Sequence, residues 1–375
     1  MTSRRVDSIQ VSGIRKLFEM ATEDAINLGL GEPDFQPPKE AIEGVMRAME
    51  GGKNKYGPTA GIPELREAIS ERLHRYREDL TKENIIVTSS ATEALMSIFQ
   101  SLFQEGDEIL IPNPGFVLYP AHTTIAGAKP IRYTLKEENL FEPDIEELKS
   151  LITPNTKGMV INSPGNPTGG VFSRDTVKAI SELSEDHGFT IIADEVYDEM
   201  IYDGHFTSFL SHTDNAVHVN SFSKTFAMTG WRIGYVASPD DEMMKATSKM
   251  HYYTVACPPT PIQYGALEAM KRSQYYIDEM VAAFRERRDV IVKELNSIEG
   301  FHTHIPKGAF YVLPSFDFDM SSEELSMLLL KHGVLSSPGS AFGSAGEGHI
   351  RFSYANSKEN IIEAMRRVRE ATAEL

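Results

Sequence analysis

The sequence is poor in the features that mark secreted and membrane proteins. Its 375 residues include one cysteine, Cys257, so no disulfide can form within the chain and a reducing compartment is suitable. No apolar run reaches the roughly 18 residues that a membrane-spanning helix needs. The first residues also lack the apolar core of a secretory signal. We therefore expect a cytoplasmic protein with no membrane partner.

Positive charge is also scarce. Lys and Arg together number 37 against 54 Asp and Glu, which gives a formal net charge of −17. A protein that binds nucleic acid normally presents a net basic face that neutralises phosphates. The negative field of this chain disfavours nucleic acids and anionic membranes, so any anionic ligand must be held by individually placed Arg or Lys side chains.

Several familiar ligand-binding motifs are absent. No G-x-G-x-x-G follows a strand, which disfavours dinucleotide binding, and there is no H-E-x-x-H. Ser223-Lys224-Thr225 has the ending of a phosphate-binding P-loop, but His218 and Ser223 stand where that loop needs glycine. The pair His302 and His304 lacks a third nearby ligand, so we expect no metal site.

What the sequence does contain is the composition of a folded protein, with 41% hydrophobic and 24% charged residues. Short apolar runs alternate with amphipathic stretches, which predicts an α/β fold with a mostly parallel sheet flanked by helices. We expect a large domain over 46–273 and a small α+β domain made of 1–45 and 274–375. The predicted strands are 85–88, 108–111, 157–161, 189–193, 216–220, 232–237, 309–313 and 348–354. The predicted helices are 61–78, 92–104, 173–187, 275–298, 321–332 and 357–373.

Polar residues follow several of these strands, and the carboxyl ends of strands are where open α/β sheets bind ligands. Each feature alone has a plain structural alternative. Ser90 and Thr92 begin a helix, where they would either bind a phosphate or cap the helix. Asp194 is either a buried acid that needs a partner or an exposed helix cap. Lys224 is either a desolvated nucleophile or an ordinary solvated charge.

Seven segments taken in order resemble one enzyme family over nearly the whole chain. They are LGLGEPDF at 28–35, YGPTAGIPELREAI at 56–69, NSPGNPTGG at 162–170, ADEVYDEMIYD at 193–203, SFSKTFAMTGWRIGY at 221–235, GAFYVLP at 308–314, and PGSAFG with IRFSYA within 338–355. The chain thereby resembles the class I/II aminotransferases, which are pyridoxal-phosphate enzymes of the aspartate aminotransferase fold (fold type I).

The resemblance implies roles for the residues around the cofactor ring. Lys224 resembles the lysine that forms the Schiff base with pyridoxal 5′-phosphate and then shuttles a proton. Asp194 resembles the acid that pairs with the pyridine nitrogen. Tyr197 and Asn166 resemble the pair that hydrogen-bonds the ring oxygen. Phe116 stands where the family usually carries Tyr or Trp stacked on the ring.

The resemblance also implies residues for the phosphate and the substrate. Arg351 resembles the arginine that grips the substrate α-carboxylate, together with Asn166, and Gly31 matches the loop that closes over the substrate. Tyr56 resembles a residue that reaches the phosphate of a neighbouring subunit, which implies a homodimer with shared sites. The implied phosphate-binding set is Ser90, Ala91, Thr92, Ser221, Ser223 and Arg232.

The implied reaction is a two-stage transamination between an L-amino acid and a 2-oxo acid such as 2-oxoglutarate. Aspartate is the first choice of donor. Aromatic amino acids remain an alternative, because aromatic aminotransferases have near-identical segments and some aspartate-using bacterial relatives carry lysine where this chain has Thr92. A broad enzyme accepting both classes, a carbon–sulfur β-lyase and a non-catalytic cofactor-binding sensor are further alternatives.

Overall fold

The computed structural model describes residues 2–9, 20, 24–373 and 375. The strands are β1 Ile26–Asn27, β2 Ile85–Thr88, β3 Glu108–Asn113, β4 Lys129–Thr134, β5 Thr156–Asn162, β6 Thr190–Asp194, β7 Ala216–Ser221, β8 Gly234–Ala237, β9 Phe301–His302, β10 Tyr311–Val312, β11 Ser315–Phe316, β12 Val334–Leu335, β13 Ser337–Pro338 and β14 Ile350–Ser353. The α-helices among these residues are α1 Arg4–Asp7, α2 Lys39–Glu50, α3 Pro63–Leu73, α4 Ala91–Leu102, α5 Leu118–Ala126, α6 Ile145–Leu151, α7 Arg174–His187, α8 Phe222–Thr225, α9 Asp241–Val255, α10 Thr260–Arg272, α11 Gln274–Leu295, α12 Ser322–Lys331 and α13 Lys358–Thr372.

A seven-stranded sheet in the order β2-β8-β7-β6-β5-β3-β4 forms the centre of the molecule. Strands β4, β3, β5, β6 and β7 run parallel, and β8 alone runs antiparallel to its two neighbours, β7 and β2. Strand β2 therefore points the same way as the parallel set. The predicted α/β fold with a mostly parallel sheet is confirmed.

Side chains of the central strands alternate between two apolar layers, as the period of two in a strand requires. In β5, Val160 packs into the layer that contains Phe99 of α4, whereas Ile161 packs into the layer that contains Ile180 of α7. Both faces of the sheet are thus covered by helices. This is why the strands read as continuous apolar runs in the sequence rather than as alternating polar and apolar residues.

The C-terminal part of the chain supplies most of a further apolar cluster, which lies around α11, α12 and α13. Small sheets lie within it, including the three strands β10, β14 and β13. The N-terminal segment joins this part of the molecule, because β1 pairs with β12 in parallel, with Ile26 opposite Val334. Residue Arg351 lies in β14 and is held next to β10 and β13 by these pairings.

Helix α2 packs closely along α10. The contact uses small residues: Ala41 and Gly44 are buried, and a Cβ placed on Gly265 would lie 2.8 Å from the Ala41 carbonyl oxygen. The α2 helix as a whole therefore lies against an element of residues 46–273, although its first residues precede position 46.

The helix predicted over 61–78 is shorter in the structure, where α3 ends at Leu73. The residues that follow turn toward a buried acid instead of continuing the helix. Arg75 Nη2 lies 3.0 Å from an Asp198 carboxylate oxygen, and the Tyr76 hydroxyl donates to the same oxygen at 3.3 Å. A buried carboxylate needs such partners. These long-range contacts with Asp198 are made in place of the further helical turn that the local apolar pattern predicts.

Among residues 2–9, 20, 24–373 and 375, no helix is long and apolar enough to cross a bilayer. The same part of the chain contains no group of three or more His, Cys, Asp or Glu side chains arranged to hold a metal ion.

Candidate active site

The carboxyl ends of β2, β3, β5, β6 and β7 meet at one edge of the sheet, where the structure has a cavity of about 470 Å³. Its walls also include the loop that follows β1 and the start of β10, so both parts of the molecule contribute. Thirteen of the fourteen residues singled out in the sequence line it: Gly31, Ser90, Ala91, Thr92, Phe116, Asn166, Asp194, Tyr197, Ser221, Ser223, Lys224, Arg232 and Arg351.

Asp194 is the last residue of β6 and its side chain is buried. One carboxylate oxygen, Oδ2, accepts a hydrogen bond from the Tyr119 hydroxyl at 2.8 Å, while the buried Oδ1 has no partner. Burial raises the pKa of Asp194 to about 6, although the Tyr119 hydrogen bond opposes the rise. The free oxygen makes Asp194 ready to accept a hydrogen bond from a cationic group placed in the cavity.

Lys224 lies on the short helix α8, which directly follows β7. Its ammonium nitrogen, Nζ, donates to the Gly31 carbonyl oxygen at 2.5 Å. Burial lowers the pKa of Lys224 to about 8, and the nearby cations Arg232 and Arg351 lower it further while acids oppose them. A lysine in this state supplies neutral, nucleophilic amine near neutral pH far more readily than a surface lysine does.

The start of helix α4 presents free backbone N–H groups to the cavity. Ser90 is the residue that precedes the helix, but its side chain makes no capping hydrogen bond, so the first N–H groups of the helix stay available. Its backbone has φ 86° and ψ 164°, a region normally occupied by glycine. A Cβ on Gly234 of β8 would lie 2.8 Å from the Ala91 nitrogen, so only glycine there lets the turn lie against the strand.

A buried glutamate and histidine hold this turn from behind. Glu93 accepts from the Ser89 backbone N–H at 3.0 Å and faces Nδ1 of His251 at 3.0 Å. The other ring nitrogen of His251 lies 2.9 Å from the Thr59 carbonyl oxygen. The turn is thereby tied to the loop that carries Tyr56, three residues before Thr59.

Arg351 is a buried arginine held in a fixed orientation. Its Nη1 donates to the Asn166 side-chain oxygen at 2.9 Å, and its Nη2 donates to the Gly29 carbonyl oxygen and to Ser337 Oγ, the latter at 3.1 Å. The buried Nε has no partner. Because a guanidinium presents its donors in a planar fork, this arrangement suits a bidentate pair with a carboxylate.

The comparisons with known proteins agree with this geometry. The family model described as "Aminotransferase class I and II" matches residues 23–368. The chain belongs to this aminotransferase family. It is 45% identical to the probable aspartate aminotransferase of Methanocaldococcus jannaschii, with 99% of each chain covered.

Solved structures of aminotransferases also superpose on the whole chain. The aspartate aminotransferase of Thermus thermophilus, solved with maleate, has a TM-score of 0.94 and 36% identity, with 99% of each chain covered. The aromatic aminotransferase of Pyrococcus horikoshii has a TM-score of 0.91 and 38% identity, and the match covers 96% of this chain and 99% of that one.

Aminotransferases of this family use pyridoxal 5′-phosphate, and the cavity fits that cofactor. The partnerless Oδ1 of Asp194 suits a protonated pyridine nitrogen, which is the kind of donor that a buried carboxylate needs. The uncapped start of α4 and the cation of Arg232, which lines the same cavity, suit a phosphate. The amine of Lys224 suits an aldehyde.

Tyr56 is the one predicted site residue that the structure does not bring to the cavity. Its side chain is 91% exposed. The aminotransferase cavity also contains residues that the sequence did not single out, among them Tyr119, Tyr311 and Asn162. Asn162 Nδ2 donates to the Asp194 backbone oxygen at 3.0 Å, and its Oδ1 accepts from the Asn166 N–H at 2.8 Å. The position of Asn162 at the end of a predicted strand was the available signal for it.

Replacing Asp194 by asparagine is expected to stabilise the cofactor-free aminotransferase at neutral pH. The folded state binds the Asp194 proton more tightly than the unfolded state, since the pKa rises from 3.8 to about 6. The stability that neutral Asp194 contributes is complete below about pH 4 and is lost as the pH rises to about 6. A shift of about two units limits this loss to about 3 kcal/mol. Thermal unfolding of both cofactor-free proteins at about pH 4 and about pH 7.5 measures it.

The matched control is Asp198→Asn, because Asp198 is also buried but is paired with Arg75 and Tyr76. This change removes a charge that has its partner, so it should lower rather than raise the unfolding temperature at neutral pH. If the two variants shifted the unfolding temperature equally and in the same direction, the assignment of an unfavourable buried charge to Asp194 would be contradicted.

Proposed function

We propose that this aminotransferase takes its amino group from L-aspartate and passes it to a 2-oxo acid such as 2-oxoglutarate. The observation that carries the proposal is a single cavity lined by the half-buried amine of Lys224, the buried carboxylate of Asp194 and the buried guanidinium of Arg351. Amine, acid and carboxylate clamp are the three groups that amino transfer requires from the protein.

The cofactor supplies an electron sink for the charge left on the substrate Cα when that carbon loses its proton. We assign Lys224 to bond the cofactor and to move that proton, and Asp194 to keep the pyridine nitrogen protonated. Tyr197 and Asn166 would hydrogen-bond the ring oxygen, and Phe116 would cover the ring. The phosphate would be held by Ser90, Ala91, Thr92, Ser221, Ser223 and Arg232.

The substrate would bind between Arg351 and the loop that carries Gly31. We assign Arg351 and Asn166 to the α-carboxylate, which every amino acid and 2-oxo acid shares. Gly31 lies two positions after Gly29, whose carbonyl oxygen accepts a hydrogen bond from Arg351. The loop and the Arg351 clamp are therefore already in contact. Closing this loop over the substrate would exclude water from the reacting carbon.

Aspartate as the donor is supported by the names of similar proteins. The relative from M. jannaschii is named a probable aspartate aminotransferase, and the T. thermophilus enzyme is an aspartate aminotransferase solved with maleate, a four-carbon dicarboxylate. A second candidate is an aromatic donor. It is favoured by the apolar wall of Leu30 and Val117. In the described part of the chain, the cations that line the cavity are Lys224, Arg232 and Arg351. All three are assigned to other roles, so none of them is left to pair with the distal carboxylate of aspartate.

A donor panel with 2-oxoglutarate as acceptor tests the proposal. We expect kcat/KM to be highest for L-aspartate among aspartate, phenylalanine, tyrosine and alanine. A clear preference for phenylalanine and tyrosine would select the aromatic candidate instead. Formation of pyruvate, ammonia and a free thiol from an S-substituted cysteine, without any acceptor, would indicate a carbon–sulfur β-lyase. Binding of the cofactor with no turnover of any donor would indicate a sensor.

The panel can be repeated with a variant that adds a positive charge to the cavity wall. Thr92→Lys would place a cation on the wall that could pair with a distal carboxylate. Because Thr92 is also assigned to the phosphate, the readout is the ratio of kcat/KM for aspartate to kcat/KM for phenylalanine, which should rise. Thr92→Gln is the uncharged control of similar length. A gain for aspartate with lysine but not with glutamine would show that the distal carboxylate enters this side of the cavity.

We further propose a homodimer in which Tyr56 reaches the phosphate of the partner subunit. Tyr56 lies in a loop fixed by the contact of Thr59 with His251. Tyr252 and Tyr253, which directly follow His251 in the chain, are also exposed, as is Tyr56. Exposed aromatic side chains grouped in this way are typical of protein–protein contacts. A particle mass of twice the chain mass in sedimentation equilibrium would support the dimer, and a monomer that is fully active would exclude shared sites.

For the domains we propose a large unit that contains the central sheet and a small unit that contains β1 and residues 274–375. All seven strands of the central sheet lie between residues 85 and 237. The boundary expected at residue 45 falls inside α2, which packs on α10, so we place the division before Lys39. The proposed location remains the cytoplasm.

A further inference from the structure

We propose that Tyr311 is a positioning residue that connects the α-carboxylate clamp and the Gly31 loop to the hydroxyl group of Tyr197. The proposal rests on the proposed function, because Tyr197 is there assigned to the ring oxygen of the cofactor. Tyr311 is fully buried at the start of β10, and it lies opposite Ser353 of β14, the strand that carries Arg351.

The first contact of Tyr311 is with Tyr197. The two hydroxyl oxygens are 2.9 Å apart, and both side chains are buried. Burial raises the pKa of both tyrosines, so both remain neutral phenols that can donate a proton. A phenol has one hydrogen to donate. If Tyr197 donates its hydrogen to the cofactor, the hydrogen between the two tyrosines must come from Tyr311.

This order of donation gives the Tyr311 hydroxyl a definite effect. A hydroxyl that accepts a hydrogen bond becomes a stronger donor, because consecutive hydrogen bonds polarise one another. Tyr311 would thus strengthen the bond from Tyr197 to the ring oxygen and stabilise negative charge on that oxygen. Less electron density then remains on the neighbouring atoms of the cofactor to bind a proton. The pH at which the visible absorption of the cofactor-loaded protein changes is therefore lowered.

The second contact of Tyr311 is with Arg351. The guanidinium carbon of Arg351 lies 4.8 Å from the centre of the Tyr311 ring and 4.7 Å from the centre of the Phe342 ring. The guanidinium is therefore held near two aromatic rings, at distances where a cation is attracted to the electrons of a ring. The ring of Tyr311, as distinct from its hydroxyl, helps to fix the orientation of Arg351.

The third contact is with the loop. A Cβ placed on Gly31 would lie 2.1 Å from the Tyr311 hydroxyl oxygen, so the loop passes directly over this hydroxyl and no side chain fits between them. Movement of the loop would uncover the Tyr311 hydroxyl and change its contact with Tyr197. One rigid side chain thus contacts the loop, the clamp and the donor to the ring oxygen.

Tyr311→Phe removes the hydroxyl and keeps the ring, so it tests the connection to Tyr197. We expect the pH midpoint of the visible absorption of the cofactor-loaded protein to rise by about half a unit, since a typical hydrogen bond contributes enough for such a shift. We expect kcat to fall by about threefold to tenfold and KM for the donor to stay within about twofold. Tyr311→Leu, which also removes the ring, should in addition raise KM.

The control for burial is Tyr354→Phe. Tyr354 is also fully buried in the same apolar cluster, and its hydroxyl donates to the Ala309 carbonyl oxygen at 3.3 Å, outside the cavity. This variant should leave the pH midpoint unchanged. An equal shift in Tyr354→Phe and Tyr311→Phe would show a general response of the core and overturn the proposal.

A double-mutant cycle decides whether Tyr311 acts through Tyr197. In a Tyr197→Phe background the hydroxyl group that connects Tyr311 to the ring oxygen is already missing. Adding Tyr311→Phe should therefore cause no further shift of the pH midpoint. An additive shift, or a Tyr311→Phe protein with the wild-type midpoint, would overturn the role of Tyr311 alone. If the wild-type protein develops no visible absorption with pyridoxal 5′-phosphate, the proposed function itself fails, and the role of Tyr311 fails with it.

Discussion

Replacing Lys224 by alanine is expected to lower turnover by at least about ten-thousandfold, because one change removes both the nucleophile and the proton-transfer group. The side chain lies in the cavity, and burial lowers its pKa to about 8. No other lysine of the part of the chain that the structure describes lines this cavity, so no second amine is in place to substitute for it. Initial rates with the best donor of the panel measure the loss. The visible absorption of the wild-type protein mixed with the cofactor should be altered in the variant.

Lys224→Arg is the matched control for charge. It keeps a cation at this position, but arginine cannot supply a neutral amine, so its turnover should be as low as that of the alanine variant. The smaller alanine leaves room for a soluble primary amine, which should restore part of the activity of that variant only. Wild-type turnover in either variant would exclude Lys224 from the chemistry.

Arg351→Ala is expected to raise KM for every amino donor by about tenfold to one-hundred-and-fifty-fold, because hydrogen bonds to charged groups contribute about 1.5–3 kcal/mol. The physical reason is that all donors share the α-carboxylate, whereas their side chains differ. Arg351→Lys should recover only part of the loss, since an ammonium group lacks the planar fork that the contacts with Asn166 and Ser337 hold in place.

The donors of the panel distinguish this role from a role in specificity. A loss confined to aspartate would place Arg351 at the distal carboxylate and contradict our assignment. Arg288→Ala provides the control for losing a buried arginine, because Arg288 pairs with Asp203 and Asp289 away from the cavity. That variant should be less stable, but its KM values should resemble those of the wild type.

Most of the central sheet could be predicted from local sequence, and the exceptions have physical causes. Strands β2, β3, β5, β6, β7 and β8 were all expected within a few residues of their observed bounds. Strand β4, which lies at one edge of the sheet and pairs with β3, was not expected. Within its residues KPIRYT only Tyr133 is buried, so no apolar run marks it.

Helices α9 and α10 were also not expected, for a different reason. Helix α9 has few buried side chains, among them Met244 and His251, and its sequence DEMMKATSKMHYYTV has no clear apolar stripe. Helix α10 packs on α2 through small residues such as Gly265 rather than through large apolar ones. In both cases the packing partner is remote in sequence, so a local pattern does not reveal it.

The alternatives left open at individual positions depended on burial and on distant partners. Ser90 precedes α4 yet does not cap it, which follows from a backbone conformation that Gly234 of another strand permits. Asp194 is buried rather than exposed, and its hydroxyl partner Tyr119 is 75 positions earlier in the chain. No spacing rule connects residues that far apart.

By itself, the sequence determined most strands of the central sheet and the polar residues that follow them, because periodicity and turn chemistry act over a few residues. It also identified the family, since seven segments in order carry the information. Only the tertiary structure decided which groups share the cavity and how strongly their pKa values shift. Tyr197 and Tyr311 meet across 114 positions, and the burial that alters Asp194 and Lys224 comes from strands and loops of both parts of the molecule. Desolvation and hydrogen bonding depend on three-dimensional neighbours, which only folding brings together.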